Sequence, residues 1–125
     1  MSIELPVIRA CYQLALELAR RVEKFPRHQR MALGADLTAL ARGVIDRLVR
    51  AKYARPGERA PLLRDANANL EVLRFQLRLA ADLKALPYGG HEYLLRLAHD
   101  VGTQVRGWLR SLPGRGPGGT DAPTR

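Results

Sequence analysis

At 125 residues and 46% hydrophobic side chains, the chain is the size of one domain with a real core. Leucine and alanine supply most of the apolar content and only seven residues are aromatic, which favours helices and leaves little β-branched material for sheets. The formal charge of +9, carried by 18 arginines and three lysines against 12 carboxylates, points to a polyanionic partner, because phosphate contacts release counterions and arginine forks onto phosphate.

The first predicted helix runs from about Pro6 to Lys24, with Val7, Cys11, Leu14, Leu18 and Val22 recurring at three- and four-residue steps as its inner stripe. Glu17 and Arg21 are spaced to pair across one turn on its outer side. Cys11 is the single cysteine, which excludes an internal disulfide and a cysteine metal cluster and suits a small core residue. A corner follows at Lys24-Phe25-Pro26-Arg27-His28-Gln29-Arg30, then Leu33-Gly34. Pro26 ends one helix and opens the next, and Phe25 is placed to plug the end of the helix pair. Arg27 and Arg30 put two cations on an opening turn whose dipole prefers negative charge, a conflict that a bound anion would relieve.

The second predicted helix spans about Pro26 to Ala54, with Leu33, Leu37, Leu40, Val44, Leu48 and Ala51 as its inner seam and Ala41, Ile45 and Val49 beside it. Arg42 lies on this helix and joins the candidate phosphate contacts. Arg55-Pro56-Gly57-Glu58-Arg59 reads as a loop from its breakers. The third helix, about Ala60 to Leu86, carries two apolar stripes. Leu63, Ala66, Leu70, Leu73, Leu77 and Ala80 form one; Ala68, Val72, Phe75, Leu79, Leu83 and Leu86 form the other. At ~100° per residue the stripes point roughly 160° apart, so one bundle core cannot take both. The second stripe, above all Val72, Phe75, Leu79 and Leu83, is therefore expected to join copies of the chain.

Leu86-Pro87-Tyr88-Gly89-Gly90 turns the chain into a fourth helix over about His91 to Leu112, with Tyr93, Leu94, Leu97, Val101, Val105, Trp108 and Leu112 facing inward. On its other side Arg96, His99, Thr103, Arg106 and Arg110 make a ridge without an acid, with Asp100 at its edge, suited to a phosphate backbone. Residues 1–112 are thus expected to form an all-α, antiparallel up-down-up-down four-helix bundle, its two middle helices ~40 Å long. Residues 113–125, rich in glycine and proline, read as a flexible tail. The N-terminus has no basic segment leading into an apolar run, and nowhere is there the run of ~18 apolar residues that a membrane span needs; a cytoplasmic protein with no membrane contact is expected.

Catalytic motifs are scarce. Serine occurs only at Ser2 and Ser111, the three histidines lack a third ligand at metal spacing, and Asp46 and Glu92 have Arg50 and Arg96 one turn away. No cofactor, metal or enzymatic activity is expected. The nearest enzymatic alternative is a HEPN-type bundle ribonuclease, which needs an arginine and a histidine four to six residues apart on the last helix. Here Arg96 and His99 are too close together, and a proline separates Arg21 from His28.

Lys24-Phe25-Pro26-Arg27 with Arg30, Leu33-Gly34, Leu70-Glu71-x-Leu73-Arg74, Leu77-Arg78-Leu79-Ala80 with Asp82-Leu83-Lys84, and Gly107-Trp108-Leu109, in that order, resemble the accessory variability determinant (Avd) proteins of diversity-generating retroelements. The bundle is also similar to proteins encoded by intervening sequences of 23S ribosomal RNA genes, which share the Phe-Pro corner and leave open an RNA-interacting role without a polymerase. The first resemblance implies a non-catalytic partner of a reverse transcriptase that assembles as a ring-like homopentamer, binds template RNA or cDNA, and supports mutagenic retrohoming. Individual nucleic-acid contacts are not fixed by it: Arg27, Arg30, Arg42, Arg96, Arg106 and Arg110 rest on charge and spacing.

Overall fold

The structure, a computed structural model, describes residues 4–113, with side chains from Pro6 onward. Beyond Pro113, the expected C-terminal tail lies outside the described residues. Among those described, the regular elements are helices: α1 Glu4–Val22, α2 Arg27–Gln29, a π-helical turn Arg30–Gly34, α3 Ala35–Tyr53, α4 Pro56–Asp82 and α5 Tyr88–Ser111. Four long helices result, α2 and the π turn leading into α3 without a break. They pack cyclically, α1 on α3, α3 on α4, α4 on α5 and α5 back on α1.

The inner stripe of α1 is buried throughout, as is the first stripe of α4. Between them Leu14, Leu18, Leu37, Leu48, Leu63, Leu70, Leu73, Leu77, Leu94 and Trp108 fill the core, with no buried polar or charged residue among those described. Each buried leucine is worth ~1.5–3 kcal/mol relative to exposure, so this leucine-rich seam is the main source of stability.

Several local expectations are corrected. Arg55–Arg59 is not a loop: α4 starts at Pro56, in the first-turn position that tolerates a missing N–H, and only Ala54 and Arg55 are extended. In the second predicted helix, Leu33 and Leu40 are half-buried, and the buried seam runs Gly34, Leu37, Ala41, Val44, Leu48 and Ala51. The π turn, bonding i to i+5, rotates the residues before it against those after it, which no uniform 3.6-residue pattern anticipates. On α5, Ala98, Gly102 and Leu109 are buried, whereas Tyr93, Leu97 and Leu112 are half-buried.

Leu86 does not extend the outer stripe of α4, because the helix ends before it. Lys84 adopts φ 67°, its N–H donates to the Ala81 carbonyl, and the Ala85 N–H reaches back to the Ala80 carbonyl. This C-terminal turn folds the chain inward and buries Ala85 and Leu86.

Candidate functional site

The corner between α1 and α2 is held by close packing. A Cβ on Gly34 would stand 2.6 Å from Cγ1 of Val22, so only glycine lets the π turn approach the end of α1 this closely. Phe25 is buried beside it and plugs the end of the bundle. Arg30 extends back over α1, its guanidinium donating to the carbonyls of Glu23 at 3.4 Å and Phe25 at 3.5 Å. The negative end of α1 thus takes up the charge for which an anion was expected. Arg27 stays exposed and makes no ion pair or hydrogen bond with any described residue.

Beside this corner lies a cleft of about 1000 Å³, where the C-terminal ends of α1 and α4 meet the start of α5. Arg20, Arg21, Lys24, Arg78 and Lys84 line it, against the carboxylates of Glu17 and Asp82. Glu17 is taken by Arg20 at 3.2 Å and Arg21 at 3.1 Å, and Asp82 stands 3.9 Å from Arg78. Lys24 and Lys84 have no partner among the described residues, which leaves the cleft with a surplus of positive charge. The Gln29 amide donates to the Leu83 carbonyl at 3.3 Å and ties the corner to the turn after α4. Arg21 also lies 4.8 Å over the Tyr93 ring, a cation–π contact.

This convergence was not anticipated from sequence. Its cations come from the ends of separate helices, and residue spacing along one helix carries no sign of it.

The remaining candidates are scattered. On α5, Arg96, His99, Thr103 and Arg110 are exposed, with Arg96 6.0 Å from the Tyr93 ring. Arg106 instead folds across Gly102 and donates to Oδ1 of Asn67 on α4 at 3.1 Å, half-buried between two helices. Arg42 is exposed on α3. Glu92 accepts the Tyr88 hydroxyl at 3.1 Å, and that bond, with the carboxylate's charge, raises the tyrosine pKa.

The outer face of α4 is uncovered. Val72 is 44% exposed, Phe75 69%, Leu79 48% and Leu83 50%. Grooves flank it on both sides, one against Leu40 of α3 and one against Leu95 of α5. Cys11 is buried, and burial pushes its thiol up to about 12, so it is no nucleophile in this setting. Among the described residues no cluster of three or more histidine, cysteine, aspartate or glutamate side chains could hold a metal ion, and no helix is long and apolar enough to cross a membrane.

A family model described as bAvd-like matches residues 7–112, from the first buried valine of α1 to the end of α5. No curated protein matches the chain.

Proposed function

The chain belongs to the bAvd-like family, an accessory family, and from that premise we propose that it is a basic, oligomeric, non-catalytic partner of a retroelement reverse transcriptase. In this reading residues 1–112 are the working unit, an antiparallel up-down-up-down bundle. Copies join through Val72, Phe75, Leu79 and Leu83 into a ring, five in number by family resemblance. The cytoplasmic assembly binds the polymerase and its template RNA or cDNA and supports mutagenic retrohoming.

The antiparallel order is supported by cross-helix pairs that run in opposite directions. Arg47 of α3 meets Asp65 of α4 at 3.0 Å, while Gly43 lies against Asn69. One observation carries the rest: the same bundle presents an uncovered apolar stripe together with arginines lacking acid partners. Full burial of such a side chain is worth ~1.5–3 kcal/mol, and these four, 44–69% exposed, have roughly half of that still to gain before the cost of association. Arg27, Arg42, Arg96 and Arg110 are the candidates for direct phosphate contact, since all four are exposed. Arg30 and Arg106 hold structural hydrogen bonds, and their contribution is to the local field.

Three measurements test the reading together: light-scattering mass, copurification with a co-expressed retroelement reverse transcriptase, and RNA binding. RNA binding should weaken with salt by a log–log slope of about −0.7 per phosphate contacted on a single strand. A mass of one chain, with no RNA bound at low salt and no polymerase retained, would defeat it.

A further inference from the structure

We infer that the cleft between the ends of α1 and α4 and the start of α5 is a seat for a short length of single-stranded nucleic acid, its phosphates on Lys24, Arg78 and Lys84 and one base on Tyr88. The inference rests on the nucleic-acid reading above and gives it a place and a strand preference.

Size is the first argument. At about 1000 Å³ the cleft is at the upper end of small-ligand sites, roughly 300–1000 Å³, a size that matches about one or two nucleotides better than the width of a duplex. Charge is the second. Glu17 is neutralised within α1, while Lys24 and Lys84 face the cleft without partners among the described residues, and Arg78 is only 3.9 Å from Asp82 in a loose surface pair.

The third argument is the platform. Tyr88 is the first residue of α5 and 73% exposed, and its hydroxyl is tethered to Glu92, which holds the ring at the cleft while leaving it uncovered. Aromatic rings beside a basic groove are how proteins hold single strands without reading sequence.

The start of α5 adds donors, because its first turn has no acid and no side-chain cap to take up its N–H groups. Nε2 of His91, in the same wall, is buried without a hydrogen-bond partner. Leu86, Pro87, Pro26 and Ala81 supply apolar contact that a sugar and base can use and that a string of carboxylates cannot. These features favour a nucleic-acid strand over an acidic peptide.

The test is fluorescence anisotropy at low salt on the full chain in its native assembly, with a labelled RNA oligonucleotide, its duplex, and polyglutamate of matched charge. Wild type should bind the single strand several-fold more tightly than either competitor. Lys84→Gly removes a cation where the backbone already favours glycine, so it should remain folded. Its single-strand affinity should fall several-fold and its salt slope by about one phosphate. Tyr88→Ala should weaken the strand about tenfold with an unchanged slope and leave duplex binding alone. The reversal Arg110→Glu, on the ridge at the far end of α5, should affect strand and duplex equally.

The cleft assignment is overturned if duplex or polyglutamate binds as well as the strand, or if Lys84→Gly and Tyr88→Ala bind like wild type while the ridge variant does not. Those results leave the wider nucleic-acid reading standing. Failure of the wild-type protein to bind any strand at low salt overturns both.

Discussion

The two faces of α4 use the same kinds of side chain to opposite ends. Leu63, Leu70, Leu73 and Leu77 are fully or nearly fully buried among the other three helices, whereas Val72, Phe75, Leu79 and Leu83 are open to solvent on the opposite side of the same rod. Helix propensity is comparable on the two faces, and both stripes have helical spacing. Partners make the difference: a cycle of four helices gives each helix one inward face, and α4 has more apolar surface than one face can hold. The inner stripe therefore sets the stability of the chain, and in the proposed function the outer stripe sets its association.

Leu73→Ala and Phe75→Asp should separate those roles most sharply. Leu73 is fully buried, so its truncation removes transfer energy and leaves a cavity, a loss of ~2–5 kcal/mol by urea denaturation. Phe75→Asp should leave helical content by circular dichroism nearly unchanged and reduce the light-scattering mass to that of one chain. An assembly that survives Phe75→Asp would mean that the outer stripe of α4 is not the contact. A Leu73→Ala protein as stable as wild type would mean that the inner stripe is not the core.

Gly34→Ala comes next. The added methyl would lie 2.6 Å from Cγ1 of Val22, and the contact is with a β-branched side chain in the packed corner rather than with a flexible tip. Overpacking of this kind costs ~1–3 kcal/mol, read as a lower denaturation midpoint. Gly89→Ala serves as the control, since its Cβ would meet nothing within 4 Å.

The corner also marks the boundary of what periodicity conveys. The inner stripes of α1 and α4 are legible because burial repeats every three or four residues along an uninterrupted helix. The exposed outer stripe was legible for the same reason, up to Leu83. The π turn at Arg30–Gly34, the turn that buries Leu86, and the start of α4 at Pro56 were not, since each depends on backbone geometry at one or two residues. Among the candidate contacts, spacing placed Arg96 and Arg110 on an exposed ridge. It gave no sign that Arg106 would fold onto Asn67, or that Lys24, Arg78 and Lys84 would meet at one cleft.

Cys11 gives a smaller effect, confined to alkaline pH. Burial raises its thiol from the ordinary 9.0 to about 12, so above pH 9 the unfolded chain binds fewer protons than the folded one. Stability is therefore full below pH 9 and falls as pH rises toward 12, by about 1.4 kcal/mol at pH 10. Arginine, lysine and tyrosine titrate in the same range, so the measurement is the difference between wild type and Cys11→Ala. Their stability gap should shift against wild type between pH 8 and about 10, and a constant gap would mean that the thiol reaches water in the folded state.

The smallest effect tests the turn that separates the two faces of α4 at their common end. Lys84 holds φ 67°, and for a residue with a Cβ the left-handed region costs ~1–2 kcal/mol. Glycine removes that strain but adds ~0.5–1 kcal/mol of backbone entropy to be lost on folding, so the two terms nearly offset. Lys84→Gly should therefore stabilise the chain by no more than about 1 kcal/mol. The sign is still informative, because Lys84 sits just beyond the C-terminal end of α4, where a positive charge gains a little from the helix dipole. A measurable loss of stability on Lys84→Gly would show that this charge outweighs the strain and that the lysine belongs to the fold. A neutral or positive change would leave its positive charge available to the cleft.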